Sequence, residues 1–284
     1  LQYLAIASVT NIILDLLFIR VFKMGVAGAA IATDISQALS CVLAVGYLLR
    51  VKSDYKINIK ELKIDKAIAK EIIRIGLPTA IQNAVISFSN VLVQSSVNAY
   101  GSTAMAGYTA YLKIDGFNIL PVLSISMAVT TFTGQNVGAK NLKRVKKGMY
   151  DALIMCTIYT ILTGVFLLSL SHQILSLFTN DSAVIGYGQL AMRYFCPFYF
   201  LLGILNTLAG TVRGAGKGVP PMLILLFSMC IFRIFWIKLA LPFFSTIDGI
   251  FMLYPISWSV GMIIMIIYTR YGKWLPQENK RNLD

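Results

Sequence analysis

Apolar runs of about 20 residues follow one another along almost the whole chain, and this spacing constrains the fold more than any other feature. In the hydrocarbon layer only helices and closed barrels can satisfy every backbone hydrogen bond, and a helix needs a run of this length to cross. Only 13% of the residues are charged, against about 25% in soluble domains. The sequence therefore predicts an all-α, polytopic transmembrane helix bundle with eight membrane helices. They are expected near residues 1–19, 26–49, 77–100, 104–133, 152–170, 183–212, 221–241 and 249–269.

Basic residues alternate from one connection to the next. Most of the 25 lysines and arginines follow the second, fourth, sixth and eighth segments, and the turns after the third, fifth and seventh segments contain none. Because basic loops remain in the cytoplasm, we expect a multi-pass protein of the plasma or inner membrane with a cytoplasmic C-terminus. The net charge of +13 then indicates contact with anionic lipid head groups. Nucleic acid is not an expected partner, because base-reading aromatic residues are not interleaved with the charge.

Polar side chains recur on one face of the third segment at spacings of four, three, four and four residues. They are Asn83, Ser87, Asn90, Gln94 and Asn98. In a helix this spacing places them on one side, and we call this surface the amide stripe. Lipid cannot satisfy amides and hydroxyls, so the stripe should face a protein interior or a water-filled cavity. The pattern predicts a passage through which the protein moves a solute or ion across the bilayer.

The fourth segment carries a second set of polar residues at helical spacing, namely Tyr108, Tyr111, Asp115 and Asn118. Asp115 can balance the charge of an organic cation, and tyrosine rings can attract the same cation through their faces. Lys113 falls on a different face. The alternative is that Lys113 and Asp115 lie near the outer interface, where long side chains reach water.

Two charged residues in other segments complete the predicted pathway. Arg233 lies near the middle of the seventh segment, where a charge facing lipid is costly. We expect it to find a partner or water. The candidate partners are Asp115, Asp15 and Asp34, and the alternative to a role in transport is a structural ion pair. Asp34, inside the second segment, is expected to bind a proton or cation, or to donate a hydrogen bond as a neutral acid.

Several kinds of chemistry have no support in the sequence. The four cysteines, Cys41, Cys156, Cys196 and Cys230, are isolated in apolar segments without metal-site or disulfide spacing. The single histidine, His172, falls in a short outer loop, and no phosphate-binding glycine loop followed by Lys and Ser or Thr is present. We therefore expect no metal, no cofactor, no catalytic residues and no ATP hydrolysis, and hence a protein that is not an enzyme.

A weak internal repeat suggests the domain organisation. Residues 28–36 and 249–257 share Gly, Ile and Ser at one constant offset, and the chain begins at Leu1 inside an apolar run. Transporters are often built from repeated halves. We expect 1–50 to be the last two helices of an N-terminal lobe whose earlier helices are missing, and 51–74 to be a cytoplasmic linker. Residues 75–270 would then form a six-helix C-terminal lobe, and 271–284 a cytoplasmic tail.

Short motifs lie near the ends of several segments. They are Gly76-Leu77-Pro78, Asn-Ala-Tyr-Gly-Ser at 98–102, Phe-Asn-Ile-Leu-Pro at 117–121, Thr-Gly-Gln-Asn-Val-Gly-Ala at 133–139, and Arg-Gly-Ala-Gly at 213–216. Together with 11–15 and 25–37, they make essentially the whole chain resemble the MATE (multidrug and toxic compound extrusion) family. Within that family the sequence is most similar to the DinF-like and NorM-like bacterial branch.

This resemblance implies a twelve-helix antiporter of two six-helix lobes, of which this chain would hold helices five to twelve. Such a protein exports cationic or amphipathic organic compounds in exchange for protons or sodium ions by alternating access. Sodium-coupled members are expected to carry a glutamate in the seventh helix, where this sequence has Ile86. We expect the protein to act as a monomer in the bilayer.

Three other functions are compatible with a polytopic membrane protein. A flippase for lipid-linked saccharides, from the same superfamily, would require a more cationic cavity to hold a diphosphate. A membrane-embedded enzyme would need a His/Asp or Ser/Lys pair at membrane depth. A passive channel would transport without dependence on a counter-ion gradient.

Overall fold

Long helices occupy all eight predicted membrane segments. The computed structural model describes residues 2–53, 56–59 and 63–275. Within these residues the helices are α1 (Gln2–Val21), α2 (Gly25–Arg50), α3 (Lys66–Asn98), α4 (Ser102–Gly138), α5 (Leu142–Ser169), the short α6 (Ser171–Ser176), α7 (Ser182–Gly214), α8 (Val219–Phe243) and α9 (Asp248–Tyr271). The predicted all-α fold class is confirmed.

Seven helices in the described residues are long and apolar enough to cross a membrane, by length and composition. The remaining long helix, α3, has 33 residues, which give it a length of about 50 Å. It falls short in apolarity because the amide stripe lies in its second half. Of the eight predicted membrane helices, α3 is thus the one that is not apolar enough to be counted among these seven.

Two helices begin well before the segments that predicted them. Helix α3 starts at Lys66, inside the predicted linker, and α5 starts at Leu142, before the apolar run that begins near Ala152. Hydropathy marks only the lipid-facing part of a helix, and both helices continue into basic sequence. The start of α5 is capped by Asn141, whose side-chain oxygen accepts a 3.1 Å hydrogen bond from the backbone N–H of Arg144.

The chain divides into two compact units, Leu1–Ile68 and Ala69–Asp284, which we call the first and second units. In the first unit α1 and α2 pack against each other. The buried residues of α2 are Gly28, Ala32 and Ser36, which are four residues apart. Small residues at this spacing allow two helices to approach closely in a membrane.

The second unit is built around α7, which packs against α4, α5 and α9. Glycines bring α4 and α7 together. A Cβ atom added at Gly107 would lie 2.5 Å from the backbone oxygen of Val184, and one added at Gly210 would lie 2.6 Å from that of Ser126. Across the same contact, the hydroxyl of Thr130 donates a 2.9 Å hydrogen bond to the carbonyl of Gly210. The close contact fixes the register between α4 and α7, and both helices carry residues of the candidate site.

Candidate functional site

The amide stripe lies on the surface of the second unit. Asn83, Ser87, Asn90 and Asn98 are exposed and Gln94 is half-buried, whereas the buried face of α3 contains Gln82, Ser89, Val93 and Val97. The hydroxyl of Ser89 donates a 2.6 Å hydrogen bond to the backbone oxygen of Met229 and so attaches α3 to α8. The polar side chains of α3 therefore form a surface that lipid cannot satisfy.

Asp115 is bound by tyrosines. The hydroxyl of Tyr199 in α7 donates a 2.7 Å hydrogen bond to Oδ1 of Asp115. The same hydroxyl shares a 2.9 Å hydrogen bond with that of Tyr111. Both tyrosine side chains are buried, whereas Asp115 is half-buried. The carboxylate therefore lies at the edge of the core, with one oxygen held by α7.

A second tyrosine pair lies beside the first. The hydroxyls of Tyr108 and Tyr254 share a 2.6 Å hydrogen bond between α4 and α9, and the rings of Tyr108 and Tyr111 stack with centroids 6.2 Å apart. The ring of Phe195 packs edge-on against that of Tyr254, with centroids 4.7 Å apart, and its centroid lies 4.8 Å from that of Tyr111. Aromatic packing thus connects the two hydrogen-bonded pairs.

Arg233 is buried in the second unit, with only 2% of its surface exposed. Its Nε donates a 3.2 Å hydrogen bond to the hydroxyl of Ser257, and Nη1 donates a 3.1 Å hydrogen bond to Oδ1 of Asn90. The guanidinium lies over the ring of Tyr254, 4.4 Å from its centroid. The structure thus brings together five predicted residues, namely Asn90, Tyr108, Tyr111, Asp115 and Arg233.

Asp115, one of the three candidate partners of Arg233, does not form an ion pair with it. Within the described residues of the second unit, the one ion pair inside 4.0 Å joins Arg74 to Glu71 on the surface. Asp115 bonds instead to Tyr199, and Arg233 uses a neutral amide, a hydroxyl and an aromatic ring. Spacing along single helices could not show that α3 presents an amide to the guanidinium.

The other two acids considered as partners belong to the first unit. Asp34 is exposed on α2. Asp15 lies in α1, and its Oδ1 is buried without a hydrogen-bond partner among the residues that the structure describes.

Asn118 and Lys113 lie apart from the network around Asp115. Asn118 is buried, and its backbone oxygen and Oδ1 accept hydrogen bonds of 3.1 and 3.4 Å from the hydroxyl of Tyr159 in α5. Lys113 is exposed, with its Nζ 5.9 Å from the centre of the Phe178 ring. Of the four residues on the predicted face of α4, Tyr108, Tyr111 and Asp115 therefore belong to the tyrosine network, and Asn118 does not.

Sequence reasoning missed Tyr199, Tyr254 and Ser257. Each places a hydroxyl inside an apolar segment, and a buried tyrosine hydroxyl generally finds a hydrogen-bond partner. Tyr254 and Ser257 are three residues apart and so share one face of α9. That spacing was the available signal for a second polar helix face opposite Arg233.

No group of three or more His, Cys, Asp or Glu side chains in the described residues is arranged to hold a metal ion. The polar groups of the cluster are hydroxyls, amides, one carboxylate and one guanidinium. Such groups can bind polar or charged parts of an organic molecule.

Comparison with known proteins gives consistent matches. A family model described as MatE matches residues 78–237. The chain is 28% identical over 281 residues to the probable multidrug resistance protein YpnP of Bacillus subtilis, covering 96% of this chain and 61% of that protein. It is 27% identical over 246 residues to the probable multidrug resistance protein NorM of Thermotoga maritima, covering 87% and 51%.

Solved structures share the fold. One is described as an outward-facing conformation of a multidrug resistance MATE family transporter of the MOP superfamily, and it matches with a TM-score of 0.87 at 22% identity, over 95% of this chain and 61% of that one. A MOP superfamily transporter from Pyrococcus furiosus matches with a TM-score of 0.84 at 24% identity, over 93% and 60%. The chain thus spans between half and about three fifths of the length of these relatives.

Proposed function

This chain belongs to the MatE family, and we propose that the protein is a secondary antiporter that exports cationic or amphipathic organic compounds in exchange for protons or sodium ions. In this proposal two lobes alternate in opening to either side of the membrane. The second unit contributes part of the transport pathway. The multidrug resistance proteins among its relatives support export of organic compounds.

The observation that carries the proposal is the exposure of the amide stripe. Its residues lie on a 33-residue helix, beside the buried face that packs into the second unit. At membrane depth an exposed amide needs water or polar protein groups. A water-filled passage along α3 meets this requirement, and Asn83, Ser87, Asn90, Gln94 and Asn98 would line it.

Coupling in this proposal depends on Asp115. An ionised carboxylate at membrane depth is costly, so a proton, a sodium ion or the cationic part of a substrate stabilises it. Tyr199 keeps the carboxylate in one position through its hydrogen bond. Because only one of these cations can neutralise Asp115 at a time, binding of one weakens binding of another, and the ion gradient drives export.

Asp34 and Asn118 have different places in the proposal. Asp34, exposed on α2, is assigned to binding of a coupling cation in the first unit. Asn118 bonds to Tyr159, and we assign it to the pathway only where α5 meets α4. We further propose that the C-terminus lies in the cytoplasm, on the basis of the alternating basic connections. The proposal also takes the protein to be a monomer.

The rival functions receive less support. A diphosphate-binding flippase requires several cavity cations, and of the two basic residues considered only Arg233 is buried, whereas Lys113 is exposed beside Phe178. Membership of a transporter family also argues against a membrane-embedded enzyme.

The proposal is tested by export of a fluorescent organic cation, rhodamine 123, from cells that express the protein. Sodium and proton gradients are collapsed separately, with an ionophore selective for each. We expect export to stop with one of the two gradients. Export that persists without either gradient would refute antiport, and an empty-vector strain controls for other exporters.

A further inference from the structure

Arg233 carries a buried charge that the second unit does not balance. Its partners are the amide oxygen of Asn90, the hydroxyl of Ser257 and the ring of Tyr254. None of these groups carries a full negative charge, and no carboxylate of the described second unit lies within 4.0 Å. Buried charges in proteins are normally paired, because removal from water is costly. Within the described second unit the guanidinium therefore has no anionic partner.

The guanidinium also has donors to spare. Of its three nitrogens, Nε and Nη1 each donate one hydrogen bond, and Nη2 donates none to any residue that the structure describes. The Nδ2 group of the neighbouring Asn90 is likewise unbonded within residues 63–275. A planar guanidinium matches the geometry of a carboxylate or phosphate group, whose oxygens can accept several N–H donors at once. These two amino groups thus have no hydrogen-bond partner among residues 63–275.

The backbone around Arg233 departs from the regular α-helix on both sides. The single α turn Phe232–Phe235 lies between two wide π turns, Phe227–Ile231 and Trp236–Ala240. Such turns are rare and occur frequently at functional sites. This irregularity in α8 is an observation independent of the hydrogen bonding.

Asn90 connects the buried guanidinium to the surface. Asn90 is an exposed residue of the amide stripe, and its Oδ1 accepts a hydrogen bond from Nη1 of Arg233. An anion that approaches along the stripe would reach Asn90 first and then the guanidinium. Arginine stays protonated at any physiological pH, so the charge does not disappear when a coupling proton binds elsewhere.

We propose that Arg233 and Asn90 bind a carboxylate or phosphate group of the transported compound. The inference rests on the proposed transport function and adds to its substrates organic compounds that carry such an oxyanion, including zwitterions. Asp115 and Arg233 then act on opposite charges, Asp115 on a cationic group or coupling ion and Arg233 on the anionic group.

The experiment compares two dyes that differ at one group. Rhodamine 110 has a free carboxylate, and rhodamine 123 is its methyl ester. Fluorescence polarisation with the purified protein in detergent measures the affinity for each. Because hydrogen bonds to charged groups are strong, we expect Arg233→Gln to weaken rhodamine 110 binding about tenfold or more. Rhodamine 123 binding should change by less than about twofold.

A second variant separates binding from folding. Asn90→Asp places a carboxylate where Oδ1 of Asn90 already contacts Nη1 at 3.1 Å, which gives Arg233 an internal counter-ion. We expect it to weaken rhodamine 110 binding about tenfold without lowering the unfolding temperature. The matched control is Ser95→Asp, an exposed position on α3 turned away from Asn90 by about 140°. It adds the same charge and should change the affinity by less than about twofold.

Three results would overturn the proposal. One is unchanged rhodamine 110 binding in Asn90→Asp, and another is an equal loss for both dyes in that variant. The third is Arg233-dependent binding of phosphatidic acid more tightly than rhodamine 110, which would make a lipid head group the occupant. Failure of the antiport proposal gives a different result. In that case rhodamine 123 export continues after both ion gradients are collapsed, whereas the binding affinities of the variants remain as predicted here.

Discussion

The hydroxyl of Tyr199 donates a 2.7 Å hydrogen bond to Oδ1 of Asp115 and so joins the carboxylate of α4 to α7. The same hydroxyl is bonded to that of Tyr111. One tyrosine therefore holds the carboxylate in place and completes the hydrogen bonding of a second buried tyrosine. In the proposed transport cycle a change in the charge of Asp115 acts directly on the contact between α4 and α7.

Tyr199→Phe should destabilise the protein. The substitution keeps the ring and removes only the hydroxyl, which leaves Asp115 and the buried hydroxyl of Tyr111 without this partner. Unsatisfied buried polar groups cost about 1 to 3 kcal/mol, and thermal unfolding in detergent measures the loss. Tyr150→Phe is the control, because Tyr150 is 60% exposed. This substitution should change the free energy of unfolding by no more than about 0.5 kcal/mol. Equal stability of the two variants would contradict the role assigned to Tyr199.

Asp115→Asn should lower export more than Lys113→Gln. Asp115 bonds to Tyr199 at the edge of the core, whereas Lys113 is exposed and lies 5.9 Å from the Phe178 ring. Both substitutions replace a charged group by a neutral amide and keep the number of side-chain heavy atoms, so they form a matched pair. Initial rates of rhodamine 123 export, normalised to the amount of protein in the membrane, give the comparison. Equal losses, or a greater loss in Lys113→Gln, would count against the assignment of Asp115.

The sequence predicted the placement of the long helices because the length of an apolar run follows from the thickness of the bilayer. It underestimated α3 and α5, which begin at Lys66 and Leu142. The basic residues there lie beyond the apolar run, and hydropathy carries no information on whether a helix continues. Helix boundaries outside the lipid depend instead on local caps such as Asn141.

The candidate site was predictable only within single helices. Periodicity grouped Tyr108, Tyr111 and Asp115, since all three lie on one face of α4. It also grouped Asn118 with them, yet Asn118 bonds to Tyr159 of another helix. The partner of Arg233 depends on how α3, α8 and α9 pack, and no spacing in one helix encodes that arrangement. A search for opposite charges therefore gave Asp115, Asp15 and Asp34 as candidate partners, whereas in the second unit the structure uses Asn90.

Gly210→Ala should disrupt the contact between α4 and α7. The added Cβ would lie 2.6 Å from the backbone oxygen of Ser126, so the helices must separate. Overpacking of this kind lowers the free energy of unfolding by about 1 to 3 kcal/mol. The measurement is the unfolding temperature, which should fall. Gly186→Ala in the same helix is the control, because its Cβ would meet no described atom within 4 Å. A Gly210→Ala protein as stable as Gly186→Ala would show that α4 and α7 are not closely packed there.

Cysteine labelling distinguishes water from lipid along α3. Ser87 and Phe88 are neighbours and both exposed, Phe88 by 57%, yet only Ser87 belongs to the amide stripe. A maleimide with a fixed charge reacts with thiolates in water, so Ser87→Cys should label about tenfold faster than Phe88→Cys if lipid excludes thiolate and reagent. Both variants carry Cys41→Ser, which removes the exposed native thiol. Similar rates at both positions would mean that no wet passage follows the stripe, and the proposed pathway would lose its main support.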